Sequence, residues 1–160
     1  MSRLGIAISA PLPHSDLVRI ARESESRGLD SFWLTEGLGK DAFAQMGALG
    51  SETKRIKLGT AIVSIYVRSA ALTAMAAAAL DDVTGGRFIL GLGTGHKPAT
   101  EKRHGLLFEK PLERMRDYVT IISQAVGGDL VSHNGSAYSV QDLRLQFSAP
   151  GHRVPIYMAV

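Results

Sequence analysis

Residues 85–96 read GGRFILGLGTGH: an apolar run lies between a pair of glycines and a second glycine cluster that ends in a histidine. The apolar run predicts a buried strand, and glycines follow at alternate positions, Gly91, Gly93 and Gly95. Glycines in this arrangement can cradle a dinucleotide phosphate, end a barrel strand beside a ligand, or simply turn the chain. The choice among these three roles decides between different folds.

The spacing of the glycines argues against dinucleotide binding. That fingerprint is G-x-G-x-x-G, it follows the first strand of a domain, and it leads directly into a helix. Here the spacing is G-x-G-x-G, the strand is the fourth along the chain, and Pro98 and Pro111 interrupt the segment after it. His96 lies just beyond the strand, where parallel α/β proteins bind their ligands, and this position favours a ligand site over a plain turn.

Short apolar runs and amphipathic segments alternate along the chain. Ser15 and Ser69 suit the N-cap positions of two helices, and Asn134 followed by Gly135 predicts a short hairpin. The patterns predict strands at 4–9, 31–36, 56–65, 87–93 and 154–160, and helices at 15–27, 41–53, 69–83 and 111–126.

The alternation of strands and helices gives the fold class, which is α/β. Strands that are apolar throughout are typical of a parallel sheet covered on both faces. Two architectures remain open: a doubly wound open sheet, and part of a (β/α)8 barrel, a fold that normally needs about 250 residues. Hydrophobic periodicity alone does not separate them.

Composition narrows the classes of protein. The chain has 160 residues, 45% of them hydrophobic, and a net charge of +3, which predicts one globular domain. It has no cysteine, which excludes disulfides and thiolate metal sites, and its histidines show no metal-ligand spacing. The basic residues are dispersed, which argues against nucleic acid, and no apolar run approaches the roughly 20 residues of a membrane span. We expect a cytoplasmic enzyme or binding domain.

The carboxyl ends of the predicted strands carry the candidate site. If the sheet curls, Glu36 and His96 face one cavity, where an acid and a histidine suit proton transfer. The alternative is that Glu36 pairs with a cation at a helix end and that His96, like His14, His104, His133 and His152, is solvated. The strand ends fall at Ser9, at Thr35 and Glu36, at Ala61 to Ser64, and at Thr94 to His96.

Four segments together resemble a known family: GLDSFWLTEGLGKDAF, TKRIKLGTAIVSIYVRSA, LDDVTGGRFILGLGTGH and HGLLFEKPLERMRDYV. They are similar to the luciferase-like monooxygenase superfamily, and within it to the coenzyme F420-dependent oxidoreductases related to methylenetetrahydromethanopterin reductase. The resemblance extends from Leu4 to the last predicted strand. It implies a (β/α)8 barrel with a flavin or deazaflavin at the carboxyl ends of the strands, and it selects the barrel over the open sheet.

The resemblance also implies roles for particular residues. Glu36 and His96 match positions for proton handling, and the peptide bond between Ala61 and Ile62 matches a non-prolyl cis bond in a bulge of the third strand. The implied cofactor is coenzyme F420, with FMN as the alternative, and the substrate is a small organic molecule. The candidate cofactor contacts are Ser9, Thr35, Ala61, Ile62, Ser64, Gly93, Thr94 and Gly95.

The family is about twice as long as this chain, as a complete barrel requires. We therefore expect residues 1–160 to form a single partial barrel, the N-terminal half, truncated after the fifth strand, with weak or absent cofactor affinity. A homo-oligomer, or a second half-barrel in a parent protein, is the expected partner. The other hypotheses are an FMN-dependent monooxygenase that uses reduced flavin and oxygen, and a non-catalytic assembly fragment whose alanine-rich helix makes protein contacts.

Overall fold

The computed structural model describes residues 4–147 and 153–159, so His152 lies outside the described residues. One parallel sheet carries the fold. Its strands are β1 (Gly5–Ile8), β2 (Ser31–Leu34), β3 (Lys57–Thr60), β4 (Val63–Ser64), β5 (Phe88–Gly93) and, after a hairpin formed by β6 (Val131–Asn134) and β7 (Ser139–Leu143), β8 (Ile156–Ala159).

The strands follow one another across the sheet in chain order. β1 pairs with β2, β2 with β3, β3 with β5 and β5 with β8, all in parallel. β8 occupies one edge of β5, so β4 pairs with the other edge, the one that also pairs with β3. β3 and β4 are therefore one barrel strand, interrupted at Ala61 and Ile62. A doubly wound sheet reverses its strand order, whereas a (β/α)8 barrel does not.

The curvature of the sheet separates the two architectures as well. The rings of Trp33 in β2 and Tyr157 in β8 have centroids 5.7 Å apart, although two strands lie between them. In a flat sheet three strand spacings amount to roughly 14 Å. The sheet is therefore concave on the face that carries both rings, as the inside of a barrel is. Gly59 of β3 leaves room for Trp33 on this face, since a Cβ atom at that position would overlap the indole.

Helices cover the other face of the sheet. They are α1 (His14–Ser26), α2 (Ala42–Glu52), α3 (Ala70–Thr84) and α5 (Pro111–Val126), and a further short helix, α4 (Lys97–Arg103), follows β5 in the chain. The core between helices and sheet is fully buried and includes Phe32, Leu58, Phe88, Leu90, Met46, Leu49, Ala74, Ala77, Tyr118 and Ile121. The alanines at 70, 74 and 77 let α3 pack closely against its neighbours α2 and α5.

One helix start and one additional short helix differ from the sequence prediction. Pro13, not Ser15, is the N-cap of α1, because the Pro13 carbonyl accepts from the amides of Asp16 and Leu17, which places Ser15 inside the first turn. The short helix α4 was not predicted; its Pro98 lies in the first turn, where a missing N–H costs nothing. The Ser69 cap is confirmed, since its side chain accepts from the amide of Leu72.

The hairpin of β6 and β7 is also confirmed, and α5 holds it. The buried carboxylate of Asp117 accepts from the amides of Ala137 (2.9 Å) and Tyr138 (3.1 Å) and contacts His133 Nε2 at 3.1 Å. His133 was predicted to be solvated; it is instead half-buried against this carboxylate. A Cβ atom at Gly135 would overlap the Asp117 carboxylate, so a larger residue there would displace the group that holds the turn.

Glu25 fixes the segment that leads into β3. Its Oε1 accepts from the amides of Lys54 (2.8 Å), Arg55 (2.5 Å) and Ile56 (2.9 Å). Burial acts to raise the pKa of Glu25, but the three backbone donors outweigh it and the pKa lies below its ordinary value. The carboxylate therefore stabilises the fold at neutral pH.

We expect Glu25→Gln to lower the free energy of unfolding by about 1–2 kcal/mol, since the three amides lose a charged acceptor. Urea unfolding at pH 7 measures the change. Glu23→Gln is the matched control: Glu23 forms an ion pair with Arg27 in which both side chains are exposed, and the expected loss is under about 0.5 kcal/mol. Equal losses in the two variants would contradict this role of Glu25.

Candidate active site

The loops at the carboxyl ends of the strands form an open pocket of about 480 Å³. Glu36 and Ser64, both predicted site residues, line it together. The other lining residues are Gly37, Leu38, Gly39, Lys40, Asp41, Val67, Arg68, Leu72 and His104. The strand ends therefore meet at one edge, as the parallel sheet requires.

Glu36 is held from two directions. Its Oε1 accepts from the amide of Ala42 (3.2 Å) at the start of α2 and from Arg68 Nη2 (3.4 Å), and its own amide donates to the carbonyl of Ile62 (3.2 Å). The side chains of Glu36 and Arg68 are only 13% and 19% exposed, so solvent screens this ion pair less than it screens a surface pair. The backbone bond ties the end of β2 to the break between β3 and β4.

Arg68 also serves a second carboxylate. Its Nη2 contacts Asp41 Oδ2, and its guanidinium lies over the ring of Phe43 at 4.8 Å. Burial acts to lower the pKa of Arg68, but the carboxylates of Glu36 and Asp41 outweigh it and the pKa lies above its ordinary value. Arg68 therefore remains a cation between two acids. Since Arg68 directly precedes the N-cap of α3, Glu36 does pair with a cation at a helix end.

The backbone around the end of β5 lies close to the break in the third strand. A Cβ atom at Gly93 would meet the side chain of Ile62 at 3.0–3.4 Å, and one at Gly95 would lie 3.5 Å from Ser64 Oγ. Gly95 has a φ of 69°, a conformation that favours glycine. Thr94, half-buried, donates from its hydroxyl to the Gly95 carbonyl at 3.4 Å. Ile62 thus covers Gly93, and Ser64 lies beside Gly95.

Gly91 has a different role from the other two glycines. It is a buried residue of β5 that faces the end of β3: its amide donates to Thr60 Oγ1 (2.8 Å), and its carbonyl accepts from the same hydroxyl (2.9 Å). A side chain there would meet backbone rather than a ligand. Gly91 therefore serves the close packing of β5 against the third strand.

The peptide bond between Ala61 and Ile62 is trans, so the expected cis bond is not found. In this trans form, the amide of Ala61 and the carbonyl of Ile62 both have hydrogen-bond partners. The amide of Ala61 donates to the Leu34 carbonyl at 2.7 Å, and the carbonyl of Ile62 accepts from Glu36. Both residues are half-buried at the break, where the side chain of Ile62 lies against Gly93.

Ser9 and Thr35 lie in a neighbouring cavity rather than in the pocket of Glu36. This cavity holds about 170 Å³ and shares residues 37–40 with the larger pocket. The Thr35 hydroxyl donates to the carbonyl of Ile8 at 3.4 Å and its amide to the same oxygen at 3.2 Å, which pairs the ends of β1 and β2. The loop 37–40 therefore separates two groups of predicted site residues.

His96 is exposed, and its carbonyl accepts from the amides of Ala99 and Thr100 at the start of α4. Within residues 4–147 and 153–159, no hydrogen bond or ion pair joins His96 to Glu36. His104, at the other end of α4, lines the pocket of Glu36 instead. Sequence reasoning missed His104, Arg68 and Asp41 as site residues; the available signal for Arg68 was its place between a strand end and a helix N-cap.

A buried tyrosine supports the start of α3 from behind. Tyr118 Oη lies 2.6 Å from Thr73 Oγ1, 3.1 Å from the Arg68 carbonyl and 3.3 Å from the Ser69 carbonyl. Burial raises the pKa of the Tyr118 phenol, which therefore stays a neutral donor. Tyr138, from the hairpin, meets the Tyr118 ring edge-on and accepts from the Ala70 amide at 3.0 Å.

The described residues offer neither a metal site nor a membrane-spanning helix. No cluster of three or more histidine or acidic side chains there could hold a metal ion. None of the helices in the described ranges combines the length and hydrophobicity needed to cross a bilayer.

Comparisons with a family model and with curated proteins agree with each other. The family model described as luciferase-like monooxygenase matches residues 1–160. The chain is 34% identical over 157 residues to 5,10-methylenetetrahydromethanopterin reductase of Archaeoglobus fulgidus, covering 98% of this chain and 46% of that protein. It is 31% identical over 157 residues to F420-dependent glucose-6-phosphate dehydrogenase of Amycolatopsis mediterranei, covering 90% of this chain and 47% of that protein.

A solved structure shows the same fold. The coenzyme F420-dependent tetrahydromethanopterin reductase of Methanopyrus kandleri superimposes with a TM-score of 0.86 at 24% sequence identity, over 98% of this chain and 49% of that one. The chain thus spans about half the length of the curated relatives that it matches.

Proposed function

The chain belongs to the luciferase-like monooxygenase family, and from this premise we propose that it forms part of an oxidoreductase that transfers a hydride between coenzyme F420 and a small organic substrate. The observation that carries the proposal is the 34% identity to an archaeal methylenetetrahydromethanopterin reductase over 98% of the chain. The family resemblance carried by the four sequence segments is confirmed, and so is the half-barrel fold.

The carboxyl edge of the sheet fits a flat ring system. Ile62 offers an apolar surface, Ser64 and Thr94 offer hydroxyls, and Gly95 carries no side chain that would keep a ring from the backbone. A deazaflavin bound there supplies the hydride chemistry. The protein's part is to seat the ring, exclude water and manage the proton that accompanies the hydride.

Glu36 is the residue best placed for that proton. Both contacts of its carboxylate in the described structure are made by Oε1, with Ala42 and Arg68, which leaves Oε2 to accept a proton or hydrogen bond from a substrate in the pocket. His96 is the second candidate, supported by its exposed side chain at the end of β5. Arg68 fixes the position of Glu36 and balances its charge.

Cofactor binding tests the proposal. We expect weak, saturable binding of F420 to the purified chain, seen as saturation transfer to the deazaflavin ring protons in ligand-observed NMR, and no comparable signal from FMN. Ser64→Leu should reduce the affinity for F420 at least about tenfold, because the larger side chain fills the surface beside Gly95. Ser132→Leu, on the exposed face of the hairpin, is the matched control and should bind as the wild type does.

Other results of the binding experiment would favour other functions. Preferential binding of FMN would overturn the F420 proposal in favour of a monooxygenase that uses reduced flavin and oxygen. Binding of neither cofactor, with a stable oligomer in solution, would favour an assembly role. That role has one supporting observation, the exposed apolar residues Leu72, Met75 and Val83 on α3.

A further inference from the structure

The position of Arg68 depends on a network that lies outside the pocket. Its side chain reaches Glu36 and Asp41, but its main chain is held from the opposite side by Tyr118 of α5. Tyr118 is fully buried, and its hydroxyl contacts the carbonyls of both Arg68 and Ser69.

The direction of these hydrogen bonds follows from the donors available. A tyrosine hydroxyl has one hydrogen, and a carbonyl oxygen only accepts. Tyr118 therefore shares its one hydrogen between the carbonyls at 68 and 69, and Thr73, 2.6 Å away, is left to donate to Tyr118. The Thr73 hydroxyl thus aims the Tyr118 hydrogen at the residue whose side chain holds Glu36.

We propose that Tyr118 is a positioning residue, which fixes Arg68 and through it the Glu36 carboxylate. The proposal rests on the proposed function only in that Glu36 serves the reaction. Tyr118 fixes the main chain at the start of α3, and the side chain of Arg68 spans from there to the start of α2, where Glu36 accepts from Ala42. Without the Tyr118 hydroxyl, the Arg68 and Ser69 carbonyls lose a buried donor and the start of α3 is free to shift.

NMR of the ligand-free chain tests this without any cofactor. In Tyr118→Phe we expect hydrogen exchange at the Arg68 guanidinium to rise about tenfold, with a shift of the Glu36 carboxyl carbon resonance. Tyr66→Phe is the matched control: Tyr66 donates to the Glu109 carbonyl at 2.7 Å, so the same atom is removed and a main-chain carbonyl again loses its donor. In that variant both Arg68 and Glu36 should keep their wild-type signals.

Incorporation of 4-aminophenylalanine at position 118 returns an N–H donor to the same place, and it should restore slow exchange at Arg68. Equal changes in the two phenylalanine variants, or no change in Tyr118→Phe, would overturn the proposal. Failure of F420 to bind would instead count against the proposed function, and the NMR result would stand.

A second pair of variants covers the case in which Tyr118→Phe does not fold. Thr73→Val removes the donor that orients Tyr118, and we expect exchange at Arg68 to rise about threefold. Thr84→Val removes a buried hydroxyl from the other end of the same helix, where it donates to the Leu80 carbonyl at 2.7 Å, and should leave Arg68 unchanged. No difference between these two variants would also overturn the proposal.

Discussion

Gly91→Ala should unfold the chain or cost at least about 4 kcal/mol of its stability, a large part of the 5–15 kcal/mol typical of a domain. A Cβ atom at Gly91 would overlap the carbonyl oxygen of Thr60 and come within 2.8 Å of the carbonyl oxygen of Ala61. Both are backbone atoms, so no change of rotamer relieves the clash. Any shift of the backbone would break the two hydrogen bonds between Thr60 Oγ1 and Gly91.

Far-ultraviolet circular dichroism and urea unfolding measure the effect. Gly37→Ala is the matched control, because a Cβ atom there meets no heavy atom within 4 Å although Gly37 lies at the same edge of the sheet. We expect the control to unfold within about 0.5 kcal/mol of the wild type. A Gly91→Ala chain of near wild-type stability would show that β5 and the third strand do not approach as closely as described.

Gly91 also illustrates what a sequence pattern does and does not reveal. The pattern placed β5 correctly and indicated that its glycines matter, because an apolar run bounded by glycines is a local signal. It did not reveal that Gly91 makes room for Thr60 while Gly95 adopts a left-handed conformation beside Ser64. That difference depends on the register between two strands and on the break at Ala61 and Ile62, which no local window contains.

The candidate site, too, could be predicted only in part from the sequence. Glu36 could be selected from its place at a strand end, and the structure does put it in a pocket. Its partner Arg68 lies 32 positions further along the chain, and Asp41 shares that partner only because α2 and α3 pack side by side. The sequence favoured His96 as a site residue and placed His104 among the solvated histidines, but the course of α4 brings His104, not His96, to the lining of the Glu36 pocket.

Asp117→Ala should cost about 3 kcal/mol of stability and loosen the hairpin. The carboxylate is buried and accepts from two backbone amides and from His133, so its removal leaves two donors without a charged acceptor and a space beside Gly135. In the wild type we expect the amides of Ala137 and Tyr138 to exchange slowly with solvent. In the variant they should exchange fast. Asp129→Ala, at an exposed acid in the loop after α5, is the control and should leave both amides protected.

The same carboxylate makes the stability depend on pH in a defined direction. Burial acts to raise the pKa of Asp117, but the amide of Ala137, the His133 ring and the amide of Tyr138 outweigh it, and the pKa lies below the ordinary 3.8. A carboxyl group whose pKa is lowered by folding stabilises the fold above its unfolded-state pKa, and this stabilisation is lost as the pH falls through the folded-state value. We expect the wild type to lose stability as the pH falls from about 5 towards 2, and Asp117→Ala to lose less, with Glu25 responsible for part of what remains.

Urea unfolding from pH 7 to pH 2.5 measures both slopes, and parallel slopes would contradict the assignment to Asp117. Loss of the Asp117 carboxylate also affects the candidate site. The hairpin that Asp117 holds carries Tyr138, and Tyr138 accepts from the Ala70 amide at the start of α3. Loosening the hairpin by Asp117→Ala should therefore speed hydrogen exchange at the Arg68 guanidinium at neutral pH, whereas Asp129→Ala should not. Asp117 and Tyr118, adjacent in α5, would then hold the start of α3 together: one acts through the hairpin, the other directly.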